Sequence, residues 1–212
     1  MHVRRRDDGL TLAEVLIVIA VLGIIIGPLT GALIVYLRNT DDISRRLTES
    51  HDAQISAAYF TQDVQSIGVR DWTAYPYPLK QSVEVNVAAA AGLYPCGDGA
   101  TPEAVVRLAW DDPQTASGTP QVVRVAYVVQ TVGGERQLRR ITCAGSATPT
   151  SVLVLAHNLD PSESQPVTVA CSSSCTAAPA VPLRVTLTVR IKDSTSTGTQ
   201  LAIVLSGERR QT

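Results

Sequence analysis

From residue 10 to residue 35 nearly every side chain is apolar, and between Leu10 and Tyr36 the only ionisable group is Glu14. Such a run exceeds the roughly 20 residues that a helix needs to cross a bilayer. From Tyr36 onward the composition turns polar, yet apolar residues persist at helical spacing: Ile43, Leu47, Ile55, Ala58, Tyr59, Val64 and Ile67. No proline falls between Leu29 and Tyr75, and Gly68 suits a helix C-cap. The pattern predicts one helix from Leu10 to about Ile67, roughly 85 Å long. Its first half belongs in lipid, and its second half should lay one face on a domain.

Tyr75-Pro-Tyr-Pro78 breaks the helical pattern, and runs of period two take over. Val83, Val85 and Val87 alternate with Glu84 and Asn86. Strands are predicted at 104–110, 121–130 and 136–142, with Gly133-Gly134 turning the last two into a hairpin. Shorter ones are expected at 151–156 and 167–170. Leu183, Val185, Leu187, Val189 and Ile191 alternate strictly with Arg184, Thr186, Thr188, Arg190 and Lys192, the mark of a half-buried strand. A strand at 200–206 should pair with it across a loop at 193–199. The fold class that follows is α+β: a long N-terminal helix, transmembrane in its first half, packed on a C-terminal antiparallel β-domain.

With 212 residues and a formal net charge of −1, the chain has room for one globular domain plus an anchor. No global basic field suggests nucleic acid. Arg4, Arg5 and Arg6 precede the apolar run, so the positive-inside rule puts the N-terminus in the cytoplasm. Everything after Arg38 then lies outside it. An ordinary secretory signal has a shorter apolar core and an A-x-A-like site; Thr30-Gly-Ala32 is a poor one, so the helix should be retained.

Cys96, Cys143, Cys171 and Cys175 all fall in the exported part, where an even count suggests two disulfides with three possible pairings. Pairing Cys171 with Cys175 would close a small local loop and leave Cys96 with Cys143 to tie distant segments. A zinc site is the weaker reading, since no histidine lies near these cysteines in sequence. No G-x-S-x-G, H-E-x-x-H or phosphate-cradling glycine loop appears, so no catalytic residue, metal ligand or cofactor is predicted. His51 and His157 stand alone. Asp111-Asp112-Pro113 reads as a turn. Asp63 reads as part of a solvated helix face, and Arg139-Arg140 and Arg209-Arg210 read as solvated pairs rather than a basic patch.

A carboxylate in hydrocarbon costs roughly 2.5–3.5 kcal/mol at mid-helix on insertion scales, and less near an end. Glu14 therefore needs a partner, which points to assembly within or out of a membrane. Gly23, Gly27 and Gly31 recur every four residues on one helix face, a spacing that lets helices approach closely. Pro28 removes the hydrogen bond to the Ile24 carbonyl, so a kink or local melting is expected there.

The segment Gly9-Leu-Thr-Leu-Ala-Glu14 resembles the processing site of type IV prepilins and pseudopilins. The resemblance implies that prepilin peptidase cuts between Gly9 and Leu10 and N-methylates Leu10, which makes Glu14 the fifth mature residue. Leu10 departs from the phenylalanine more often found there. Cleavage would remove Arg4 to Arg6 and leave a fresh ammonium beside hydrocarbon, which a neighbouring subunit's Glu14 can neutralise. Further on, Tyr59-Phe-Thr-Gln-Asp63-Val-Gln-Ser-Ile-Gly68 resembles the end of the long helix in PilW-type minor pilins and type II secretion pseudopilin J. Val125-Ala-Tyr127-Val-Val, Leu138-Arg139-Arg140, residues 152–159 and Gly207-Glu-Arg209-Arg210 are similar to that subfamily's strands.

On that resemblance the chain divides into a leader (1–9), a transmembrane and filament-core helix (10–36), its amphipathic continuation (37–68) and an extracytoplasmic β-domain (69–212). It implies a non-enzymatic minor pilin or pseudopilin, held in the cytoplasmic membrane and then built into an extracellular filament. The implied partners are prepilin peptidase, other major and minor pilins or pseudopilins, the inner-membrane assembly platform and membrane lipid. The competing expectation is a signal-anchored extracellular binding module, neither cleaved nor assembled.

Overall fold

The computed structural model describes residues 11–113, 120–176, 181–192 and 201–211. Gly9, Leu10 and the predicted loop at 193–199 lie outside them. The chain divides into two compact units, Met1–Leu47 and Thr48–Thr212. Helix α1 runs over Leu12–Ser66 and continues through Pro28, which has no amide proton to give the Ile24 carbonyl. It starts two residues later than the pattern predicts. Thr11 is the N-cap: its hydroxyl and its carbonyl both accept the Glu14 amide, at 3.4 and 3.0 Å.

The rest is β. Strands β1 (Val69–Arg70) and β2 (Leu79–Lys80) form a short antiparallel ladder that the sequence pattern does not reveal. Strands β3 (Val83–Val87), β4 (Ala104–Asp112), β5 (Gln121–Val132), β6 (Glu135–Ala144) and β7 (Ser151–Ala156) make a five-stranded antiparallel meander in chain order. Strands β8 (Val167–Cys171), β9 (Arg184–Ile191) and β10 (Leu201–Glu208) form a second antiparallel sheet with β9 in the middle. A long apolar helix followed by antiparallel sheets is the α+β class read from the sequence. Asp111 and Asp112 close β4 rather than forming a turn, because the strand continues pairing with Val122 and Gln121 to its last residue.

The β5–β6 connection is the two-residue hairpin expected. Gly133 and Gly134 both have positive φ, 61° and 84°, the backbone of a type I′ turn, and Val132 faces Glu135 across it. In β9 the inward residues Val185, Leu187, Val189 and Ile191 are buried, following the strict alternation. Strands β4 and β5 instead read as nearly continuous apolar runs, and the reason is that both faces of their sheet are covered. Val106, Leu108, Val125 and Tyr127 join the main core, whereas Ala104, Ala126 and Val128 pack on the other face with Cys96, Ile141 and Cys143.

The last turns of α1 complete the main core. Phe60, Val64 and Ile67 are fully buried against Val83, Leu138, Leu155, Leu187 and Leu205, so the helix end contacts both sheets. The apolar stripe predicted for this region is only partly right. Val64 and Ile67 are buried and Ile55 is packed against the core, but Tyr59 is 37% exposed and Phe60 carries the contact. The packed face also bears Asp52, Ser56 and Asp63, all buried, and polar residues are invisible to a search for apolar periodicity.

Gly207 marks the closest approach. A Cβ built on it would stand 2.6 Å from the Cβ of Val64, so β10 can lie against the helix only because this position has no side chain. Gly207→Ala is expected to cost about 1–3 kcal/mol through overpacking. Urea unfolding of the full chain in detergent measures it; an unchanged midpoint would mean that the helix and β10 are not in this register.

Candidate functional site

Two places carry the functional question: the anchor segment of the first unit and the helix seat of the second. In the first unit, Leu12–Thr40 is long and apolar enough to cross a membrane, and its most apolar stretch is unburied. Leu12, Leu16, Ile17, Ile19, Ile24 and Leu29 are among side chains more than half exposed. Exposed leucines and isoleucines in such number are stable only in lipid or against partner helices. Two hydroxyls in this stretch are satisfied by the helix itself. Thr30 and Thr40 donate their hydroxyls to the Ile26 and Tyr36 carbonyls, each at 2.9 Å.

Glu14 stands three residues after the Thr11 N-cap, in the first turn, where the helix dipole favours a negative charge. Thr-x-x-Glu is also the spacing of a capping box. Gly23, Gly27 and Gly31 would each place a Cβ in open space, with nothing within 4 Å. Among the described residues, none therefore occupies this glycine row.

In the second unit, a row of polar residues on α1 fastens the helix to β6 and β7. Asp52 accepts the His157 amide at 3.0 Å and lies 2.9 Å from its Nδ1. The buried Ser56 hydroxyl donates to the Leu155 carbonyl at 2.9 Å. Asp63 takes a bidentate grip from Arg140, Nε to Oδ2 and Nη2 to Oδ1, both at 2.7 Å. It also accepts the Tyr127 hydroxyl at 2.6 Å. The Arg140 guanidinium lies over the Tyr59 ring at 5.1 Å, and Phe60 meets Tyr127 edge to face.

The expectation of solvated residues fails here for Asp63 and Arg140, whose side chains are 2% and 13% exposed. Burial alone would weaken the Arg140 proton, but the hydrogen bonds and charge of Asp63 outweigh it and raise its pKa. Burial, then the Asp63 charge, push the Tyr127 hydroxyl well above its ordinary value, which keeps it a neutral donor. Arg139, by contrast, points to the other side of β6, where its Nη1 donates to Gln130.

A second buried ion pair holds the segment that crosses the outer face of the five-stranded sheet. Arg107 is fully buried; its guanidinium reaches Glu84 at 3.1 Å and the carbonyls of Ala88, Ala89 and Ala91 at 2.8–3.3 Å. Glu84 in turn accepts the amides of Leu93 and Tyr94. The signal was present in the sequence as an arginine inside the apolar strand of 104–110 and a glutamate in 83–87. Only the register, which sets Glu84 opposite Arg107, turns it into a pair.

Of the three disulfide pairings, the structure has Cys96–Cys143 and Cys171–Cys175. No group of three or more potential metal-ligating side chains occurs among the described residues.

The family model described as the prokaryotic N-terminal methylation motif matches residues 4–30. The match supports a type IV prepilin-like N-terminus, and such a motif suggests a structural subunit rather than an enzyme. An apolar helix within such a motif is consistent with a membrane anchor. No curated protein and no solved structure matches the chain.

Proposed function

We propose that the chain is a minor pilin or pseudopilin, a structural subunit of a type IV pilus-like or type II secretion-like filament. The observation that carries this reading is the methylation motif over residues 4–30, coupled to a carboxylate in the first turn of an otherwise unsatisfied apolar helix. Prepilin peptidase cuts between Gly9 and Leu10 and methylates Leu10. The anchor then holds the subunit in the cytoplasmic membrane, with the β-domain outside, until the assembly platform extracts it.

The driving force follows from the anchor's chemistry. Leaving lipid for a bundle of like helices keeps the exposed leucines and isoleucines out of water, and the glycine row at 23, 27 and 31 lets backbones approach. Pro28 offers a place for the helix to loosen. The Leu10 ammonium of one subunit and Glu14 of another would each be costly in hydrocarbon, and together they form one pair. The β-domain then contacts neighbouring subunits.

Replacing Gly9 with valine should leave nearly all of the chain as uncut precursor, seen as a higher mass on the intact protein. Glu14→Ala should still be cut but enter filaments poorly. Processing of the Gly9→Val chain at the wild-type rate would overturn the reading. So would native protein recovered with Met1 in place, which is the outcome for a signal-anchored binding module.

A further inference from the structure

The cysteines are all paired, and the two bonds sit in opposite surroundings. Cys96 and Cys143 are both 0% exposed and pack with Ala126, Val128 and Ile141. Cys171 and Cys175 are partly exposed, and the residues between them, Ser172, Ser173 and Ser174, are exposed.

A disulfide is exchanged when a thiolate attacks one of its sulfurs, so access to the sulfur helps set the rate. At Cys171–Cys175 the attacker passes only three serines, whose side chains are small and uncharged. At Cys96–Cys143 it must wait until the sheet opens. Openings of that kind cost free energies that rise toward that of global unfolding.

The backbone around the exposed bond is held by other contacts as well. Cys171 sits in the β8–β9 ladder opposite Val185. Beyond it the Ser172 amide donates to the Arg184 carbonyl at 2.9 Å, and the Ser172 hydroxyl accepts the Arg184 amide at 3.0 Å. With the bond open, Cys171 keeps its place and Cys175 stays on a tether of 4 residues. Loops of about ten residues close in roughly 10–100 ns, so the two sulfurs meet often enough for the bond to re-form. No free thiol exists to divert it into a wrong pairing.

We propose that Cys171–Cys175 is a thiol–disulfide exchange site, opened and closed on the folded subunit by a dithiol oxidoreductase. A thiolate of the oxidoreductase attacks the Sγ of Cys171 or Cys175. A mixed disulfide forms, and the other sulfur leaves as a thiolate and takes up a proton. The second thiol of the oxidoreductase then loses its proton and attacks its own sulfur in the mixed disulfide, which frees the chain's remaining sulfur to be protonated. Two electrons and two protons have passed to this chain, which holds two thiols, while the oxidoreductase holds one disulfide. The reverse sequence restores the bond. That the two proteins meet outside the cytoplasm rests on the proposed function; the selective reactivity of the bond does not.

The test treats the folded full chain, in detergent without denaturant, with dilute dithiothreitol. New thiols are alkylated and located by peptide mass spectrometry. Cys171 and Cys175 should be labelled at least about 100-fold faster than Cys96 and Cys143, whose reaction waits for the sheet to open. The circular dichroism spectrum should hold while they react. Thioredoxin with its resolving cysteine replaced by serine should be captured as a mixed disulfide at one of the same two residues. Equal labelling rates for the two pairs, no labelling before denaturant is added, collapse of the spectrum as Cys171 and Cys175 react, or no capture of thioredoxin would each overturn the proposal. The N-terminal mass of the native protein reports separately on leader cleavage, so either reading can fail without the other.

Discussion

Asp63→Asn is expected to lower the stability of the β-domain by about 3–5 kcal/mol, the cost of removing one partner from a buried ion pair. The asparagine keeps the size of the side chain and can still accept a hydrogen bond, so packing is nearly unchanged. What is lost is the charge that balances Arg140, whose side chain is only 13% exposed and whose Nε and Nη2 both point at the missing carboxylate. Against a total of about 5–15 kcal/mol for a typical domain, such a loss is large. Tyr127→Phe supplies the comparison. It removes only the hydroxyl that donates to Asp63, and should cost about 1 kcal/mol. Urea unfolding of both variants in detergent, followed by circular dichroism, gives the two values. A loss below 1 kcal/mol for Asp63→Asn would mean that the carboxylate is solvated after all.

The second large effect belongs to the disulfides, which should differ sharply in worth. Cys96–Cys143 closes a separation of 47 residues, whereas Cys171–Cys175 closes 4. In the chain-entropy view the long loop contributes about 4 kcal/mol and the short one about 2. The long one also has a structural task. Cys96 ends the segment that crosses the outer face of the five-stranded sheet, and with Arg107 it keeps Ala126 and Val128 covered. Replacing Cys96 and Cys143 together by alanine should therefore lower the urea midpoint about twice as much as replacing Cys171 and Cys175. Equal shifts would show that loop length is not what governs the stabilisation.

Much of this molecule was legible before any fold was known, and particular residues show why. The long apolar helix announces itself because nearly every residue from Leu10 to Val35 is apolar, a run suited to lipid or to packing against like helices. The alternation of 183–192 is period two, and a strand with one buried face is the only structure it fits. Gly133-Gly134 names its own turn, since type I′ geometry asks for positive φ at both positions. For the candidate processing site at Gly9 and Leu10, the signal is a local pattern, and the family match over residues 4–30 rests on the same stretch.

What escaped the sequence reading is polar and distant. Asp63 and Arg140 lie 77 positions apart, and Glu84 and Arg107 lie 23 apart. Periodicity reports which apolar groups avoid water, but a buried charge is recognisable only beside the partner that makes its burial tolerable. Asp111 was read as a turn residue for the same reason: its acceptors serve the Arg70 amide and the Trp72 indole, which the chain delivers from another strand. Local order along the chain thus determined the anchor, the motif and most strands of this protein. Strand register and helix seating, which bring remote charges to 2.7–3.1 Å of each other, decided where its polar groups went.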